Sequence, residues 1–474
     1  MDSKITKKRF SKTKSNDIPI EKKTKLDKEL REVVLPDEIW LRIMCHLNTK
    51  DLLITFGLVC KRFRCLSLDS KVFKVMVKYL ELKNINDEVK FRGAMAVIKK
   101  AENLTGIRIE SSREYWKQLM ILALKKSSMK SLELLNNWCQ FSKKSWFTLK
   151  DLKNMVEYGK QLEAITIRNT RIEPEDFKQI AYIKTLKSLQ ITDTNVYTKK
   201  KCIDVHCSIF TPENIIAIAK NCQYLEAINI FSKRMYYPSL DEYNDWSSSF
   251  DIFFNERKLT LKSLGLDGFF SLAHTSFLQN ISICENLEEL TLRNCTLAKL
   301  CQESLLHILG LKKLVISNTY SNFIYNMHFH NLKYLIIADT FSRKEDFEKL
   351  SKLLFPVLER VYINIPEYSD QCAKDFLKNS PMLKSAQLYL KERTFKIKPQ
   401  TIISMIDLMD TAVKENIYLD FGSTINSSLK AVLLQQGISE SQSAMIDKYY
   451  GLKNDFDQWC KNNNWWMNSW SQSK

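Results

Sequence analysis

The sequence predicts an α/β repeat solenoid, a curved horseshoe of short parallel strands alternating with helices, preceded by a small helical module. Three observations predict it. A period-two apolar pattern recurs nine times in one phase between residues 162 and 388. Residues 33–80 read instead as helical, with Ile39, Ile43 and Leu47 recurring at every fourth position. Ten glycines and nine prolines in 474 residues are too few for an all-β protein built on tight turns. Hydrophobic content of 45% and aromatic content of 11% suffice for a folded body.

Taken in chain order, residues 1–32 are polar, charged and without apolar periodicity, and read as a disordered basic arm. Residues 1–31 hold eleven Lys or Arg against five Asp or Glu, so about a third of the net charge of +18 sits there. Such an arm suits an acidic partner, a nucleic acid or nuclear import, and equally a solvated surface. Lys7-Lys8-Arg9, twelve residues, then Lys22-Lys23-Thr24-Lys25 has the layout of a bipartite nuclear import signal. Met1 to Glu32 lacks the apolar core segment of a secretory signal, and no run is long and apolar enough to span a bilayer. An intracellular setting, nucleus or cytoplasm, and no membrane partner are expected. Twelve scattered cysteines without a Cys-x-x-Cys pair fit a reducing compartment.

Residues 33–80 form the helical module. Pro36 at a first helical position, followed by Asp37 and Glu38, is a good helix start. Asn48 and Thr49 break that helix and can cap the next. So short a segment has little interior for its apolar residues, the alternative being a small helical bundle that buries them in itself.

Residues 81–425 carry the repeats. The template is an apolar residue, then apolar residues three and five places on. It fits Leu162-Ile165-Ile167, Leu186-Leu189-Ile191, Leu225-Ile228-Ile230 and Leu261-Leu264-Leu266. It continues at Leu287-Leu290-Leu292, Leu311-Leu314-Ile316, Leu332-Leu335-Ile337, Leu358-Val361-Ile363 and Leu383-Ala386-Leu388. The spacings are 24, 39, 36, 26, 24, 21, 26 and 25, six of them in one narrow range. The two long ones mark insertions near 195–210 and 232–258, the second of which reads as a surface loop from its Tyr-Pro-Ser and serine-rich segments. Weaker copies at Leu104-Ile107-Ile109 and Met129-Leu132-Leu134 extend the array upstream, and Ile417-Leu419-Phe421 closes it. Between strands, Thr211 and Pro212 open a helix as N-cap and first residue. Residues 426–474 read as a helix and a tail with Trp459, Trp465, Trp466 and Trp470. Two readings stay open for that tail: a cap over the last repeat, or part of a recognition surface.

Cys284 to Leu297 (CENLEELTLRNCTL) resembles the cysteine-containing subtype of leucine-rich repeat, and Asn221 to Ile230 echoes its first half. Cys295 then takes the turn position after the strand, where a small polar side chain satisfies backbone groups between rungs. Thr170, Thr194, Thr319 and Thr340 stand at the same phase. That subtype is typical of proteins whose N-terminal module is an F-box, and Val33 to Phe73 resembles an F-box nearly end to end. It has Leu35-Pro36 and the acidic pair after it, Asp51-Leu52-Leu53, and Leu58-Val59-Cys60-Lys61-Arg62-Phe63-Arg64. Phe63 stands where the family usually has Trp. Gly57 stands near a usual Ser or Ala, which weakens that helix by about 1 kcal/mol relative to Ala.

The resemblance implies a non-catalytic, substrate-recruiting subunit of an SCF-type ubiquitin ligase. Leu35, Pro36, Ile39, Ile43 and Leu47 would lie against the Skp adaptor, braced by Leu52, Val59, Cys60 and Phe63. The adaptor would link the chain to cullin and RING subunits for ubiquitination and proteasomal degradation of a bound protein. That protein substrate would meet outward strand positions on the inner wall: Arg168, Asp267, Glu289, Arg293, Tyr334, Arg360, Tyr362 and Tyr389. No Walker loop, G-x-G-x-x-G, G-x-S-x-G or H-E-x-x-H occurs, and no cofactor is expected. Cys202, His206 and Cys207 have no second pair at zinc-finger spacing nearby, and His328 and His330 flank Phe329 in an ordinary turn between repeats, so no metal is expected. Two other classes remain: a non-ligase repeat scaffold, and a nuclear chromatin or nucleic-acid binder using the basic arm.

Overall fold

A computed structural model describes residues 37–44, 77–85, 87–111, 115–135, 147–168, 172, 174–192, 211–231, 240–268, 280–295, 307–319, 328–338, 340, 344–365, 367–390, 399–421, 448, 452–455 and 457–458. The chain divides into two compact units, Met1–Val77 and Lys78–Lys474. The first contributes helix α1, Asp37–Met44, with Asp37 and Glu38 in its first turn, where carboxylates oppose the helix dipole.

Among the described residues the second unit holds one thirteen-stranded sheet, every strand parallel to its neighbours and in chain order. Its strands are β1 Tyr79–Leu82, β2 Gly106–Glu110, β3 Ser131–Leu135, β4 Ala164–Arg168, β5 Ser188–Thr192, β6 Ala227–Phe231 and β7 Ser263–Asp267. They continue as β8 Glu289–Arg293, β9 Lys313–Ser317, β10 Tyr334–Ala338, β11 Arg360–Ile365, β12 Ser385–Leu390 and β13 Tyr418–Asp420. Nine helices lie between strands among the described residues: α2 Glu88–Lys100, α3 Tyr115–Leu124, α4 Leu149–Tyr158, α5 Pro174–Phe177, α6 Pro212–Asn221, α7 Leu240–Arg257, α8 Lys344–Ser351, α9 Asp370–Lys378 and α10 Pro399–Lys414. Short 3₁₀ turns replace or extend helices at Lys178–Tyr182 and Ile281–Ile283. This is the α/β leucine-rich-repeat solenoid that the spacing predicts.

The template residues do what their period requires. Each first-place residue from Leu104 to Ile417 is buried, as are the two strand residues that follow it. Adjacent rungs place them in register: Leu264 opposite Ile228 and Leu290, Leu314 opposite Leu290 and Leu335. Burying one such leucine contributes roughly 1.5–3 kcal/mol, and the stack repeats it rung after rung. Helix starts follow sequence as well. The Thr211 hydroxyl accepts from the Asn214 N–H at 3.3 Å with Pro212 in the first turn. Thr148 and Asp151 make a reciprocal capping box on α4.

One expectation is corrected. The insertion near 232–258 is not a surface loop throughout, because residues 240–257 form α7. Trp246, Phe250, Phe253, Phe254 and Arg257 are buried, at helical spacings that outweigh the turn-forming serines between them. The Arg257 guanidinium donates to the carbonyl of Cys222 at 2.7 Å, just past the C-terminus of α6. There a cation also meets the negative end of the helix dipole. Strand β1, absent from the sequence-based array, adds a rung at its start. Residues 1–32, most of 33–76, 195–210, and the tail beyond 458 lie outside the described residues.

A charge ladder runs along the edge where the chain enters the strands. Glu163 lies between Lys130 and Lys187, both at 2.8 Å. Glu226 pairs with Lys262 at 3.1 Å, Glu288 with Lys312 at 2.6 Å, and Glu359 with Lys333 at 3.7 Å and Lys384 at 2.7 Å. The backbone carbonyls of these same residues each receive two N–H groups from the next rung, as Glu163 does from Lys187 and Ser188 at 2.8 and 2.9 Å. Alternating charge therefore reinforces the backbone register.

Candidate functional site

In the first unit, α1 presents Asp37, Glu38 and Ile39 to solvent, with Trp40 half-buried. Ile39 is 38% exposed, an apolar side chain held outward on a helix that starts at the position Pro36 predicts. Ile43 lies in α1, four residues on. Leu35, Pro36, Leu47, Leu52, Val59, Cys60 and Phe63 lie outside the described residues.

In the second unit the candidate surface is the open face of the sheet, opposite the buried template rows. All eight residues expected to meet a substrate take open-face positions, and their surroundings divide that face into three zones.

The first zone, β1 to β4, is charged. Arg108 faces Glu81 at 3.3 Å and Glu133 at 3.9 Å, and Glu133 faces Arg168 at 3.8 Å. Tyr79 lies over Gly106, where a Cβ would stand 2.6 Å from its ring. Its hydroxyl pKa is raised, first by burial and then by the Glu133 charge. The second zone, β5 to β8, is polar and half-buried at Gln190, Asn229 and Thr291. Gly265 leaves room for the Asn229 side chain to lie across it, with Oδ1 2.0 Å from where a Cβ would be. Asp267 accepts from Asn294 Nδ2 at 2.6 Å. Glu289 is exposed and pairs with Lys313 at 3.6 Å. Burial lowers the pKa of the Arg293 guanidinium, and the nearby Asp267 charge opposes that effect.

The third zone, β9 to β13, is built around an apolar, covered cluster. Val315, Ile336, Ala338, Tyr362 and Tyr418 form one cluster, none more than 6% exposed, with Tyr334, Tyr389 and Leu452 packed on it. The Tyr362 and Tyr389 rings pack tilted, with centroids 5.2 Å apart. The Tyr389 phenol is pushed up to about 12, chiefly by burial, with Asp420 adding. Arg360 donates to Ser385 Oγ at 3.3 Å. Tyr362 thus has the expected register but is not presented to solvent, since the C-terminal segment carrying Leu452 lies on its cluster. Glu133, Arg108 and Asn229 belong to the open face although sequence reasoning did not single them out; the register alone identifies them.

The turns after the strands carry the ladder that the cysteine-containing repeat implies. Gly268, Asn294 and Asn318 have positive φ of 86°, 49° and 46° at equivalent places, a region open to Gly and tolerated by Asn. Asn318 Nδ2 donates to Asn294 Oδ1 at 2.8 Å. Thr319 Oγ1 accepts from the Cys295 N–H at 3.2 Å and lies 3.0 Å from the Ser317 carbonyl. Thr340 Oγ1 repeats the contact with Ala338 at 3.1 Å. Thr170 and Thr194 lie outside the described residues. The His328 and His330 rings stack 5.9 Å apart beside buried Phe329. Among the described residues no group of three or more His, Cys, Asp or Glu is placed to hold a metal, and no helix is long and apolar enough to cross a membrane.

Residues 34–75 match the family model of the F-box domain. Among solved structures, a chain of the yeast Rad7–Elc1 complex superposes with a TM-score of 0.42 at 13% identity, over 80% of this chain and 94% of that one. A chain of the TLR13–ssRNA13 complex gives 0.39 at 12% identity, over 74% of this chain and 44% of that one. No curated protein sequence matches. With the module matched and the sheet described, the chain carries an F-box domain at residues 34–75, followed by a leucine-rich-repeat solenoid whose first strand among the described residues is Tyr79–Leu82.

Proposed function

We propose that this chain recruits protein substrates to an SCF-type ubiquitin ligase, binding a Skp-type adaptor through its F-box and the substrate through the open face of its repeats. The observation that carries the reading is the F-box match at residues 34–75 joined in one chain to a repeat sheet with a charged and polar open face. The F-box match supports an adaptor partner, with cullin and RING subunits following from it. The chain's contribution is proximity: it holds substrate lysines near a conjugating enzyme carried by the other subunits and needs no catalytic residue of its own. The substrate meets the exposed zones first, at Arg168, Asp267, Glu289 and Arg293, and the basic arm directs part of the pool to the nucleus.

The test is co-purification of the full chain with Skp adaptor, cullin and RING subunits, beside a Pro36→Ala/Ile39→Asp variant. All three partners bind the parent and leave the variant if the reading holds. Adaptor without cullin moves the repeat scaffold ahead, and absence of both removes the ligase role.

A further inference from the structure

The covered third zone presents apolar side chains on the face that leucine-rich strands ordinarily leave wet. Along β5 and β8 the open-face residues are Gln190 and Thr291, both half-buried. At the same register in β9, β10 and β11 stand Val315, Ile336 and Tyr362, each nearly inaccessible. Bare, these residues would make an apolar patch of the kind that marks a docking site. The chain fills it itself, with Leu452 against the cluster. Residues 452–455 are helical, and Lys453 bonds Asp457 at 2.6 Å one turn on, so the occupant is a short helical segment with a leucine anchor.

The fit is incomplete. Gln387, 1% exposed beside this cluster on β12, donates through Nε2 to Asp420 at 3.3 Å, but its buried Oε1 has no hydrogen-bond partner. A buried carbonyl without a donor is destabilising, because its desolvation is not repaid. An occupant that brought a donor to Gln387 would therefore hold the seat better than the resident segment does.

We propose that the open face of β9–β13 is a binding site for a leucine-anchored amphipathic helix, that residues around Leu452 fill it in cis, and that a substrate helix of the same character displaces them. This rests on the recruiting function above and names its substrate class. The occupant in cis sets the threshold: tethered at an effective concentration on the order of millimolar, it excludes weak competitors and admits only helices that bind better than it does.

The experiment uses the full chain and a fluorescein-labelled peptide of residues 446–460 read by anisotropy. The Leu452→Asp chain, whose seat is vacated, binds the peptide at least about tenfold more tightly than the parent, whose seat is filled. Adding Tyr362→Glu to Leu452→Asp abolishes binding. Leu452→Ala gives the same ordering should the aspartate variant lose cooperative unfolding. Equal binding to parent and Leu452→Asp, binding to neither, or binding that survives Tyr362→Glu each overturns the proposal. None of these outcomes alters adaptor co-purification through the F-box, so the two readings fail separately.

Discussion

Replacing Thr319 by Val tests the turn ladder that joins the repeats. Thr319 is 1% exposed, and its Oγ1 lies 3.2 Å from the Cys295 N–H, 3.0 Å from the Ser317 carbonyl and 3.3 Å from the Leu292 carbonyl. Valine has nearly the same shape, so no cavity opens and the cost is polar. The hydroxyl that accepts from the Cys295 amide disappears at a site closed to water, a loss of about 1–3 kcal/mol. Because each repeat interacts chiefly with its neighbours, that loss falls on the interface between β8 and β9. Equilibrium urea denaturation followed by circular dichroism should show it, and hydrogen exchange should localise it to the amides of those two strands. Thr319→Ser keeps the hydroxyl and loses one methyl, so it should cost no more than about 1 kcal/mol. A valine variant within about 0.3 kcal/mol of the parent, or one no worse than serine, would refute the ladder as a source of stability.

The edge ladder predicts an acid response. Hydrogen bonds from Lys130 and Lys187 hold the Glu163 carboxyl at about 2, below its ordinary 4.5. A folded-state value below the unfolded one means stabilisation present above about 4.5 and lost as the pH falls towards about 2. Glu163→Gln should therefore flatten that limb of a Tm-against-pH curve, by a small amount because the group faces solvent. Phe254→Ala, at a fully buried site with Phe250 and Phe253 rings each 5.8 Å away, should cost about 3–5 kcal/mol in denaturation and confirm α7 as part of the core. Lys22→Ala/Lys23→Ala should move a fluorescently tagged chain out of the nucleus, as counted by microscopy; an unchanged distribution removes the import reading of the arm.

Most of the sheet was legible because a strand with one buried face writes itself as alternation, and a solenoid repeats that alternation in fixed phase. The first rung is written in the sequence too: Val77-Leu80-Leu82 fits the template with Val in first place. Helix α7 was misread because Ser247, Ser248 and Ser249 favour turns locally, whereas Trp246, Phe250, Phe253 and Arg257 at one helical face decide the structure by burial. The open-face residues could be placed by register, but not their partners. That Arg168 faces Glu133, or that Asn229 lies over Gly265, depends on side chains more than thirty residues apart.

The cover on the last rungs shows how far such reading extends. Strands β4, β5 and β8 (AITIR, SLQIT, ELTLR) alternate and have one wet face, whereas β9, β10 and β11 (KLVIS, YLIIA, RVYINI) carry apolar residues on both. A strand apolar throughout is a strand covered twice. The position of the cover is therefore written in the host strands, a hundred or so residues before the segment that supplies it. What those strands cannot specify is which helix sits there, since Val315, Ile336 and Tyr362 offer shape and apolar surface but few directional bonds. A surface that selects by burial rather than by hydrogen bonding admits exchange between occupants of similar character. The unmatched carbonyl of Gln387 is a polar feature by which it can rank them.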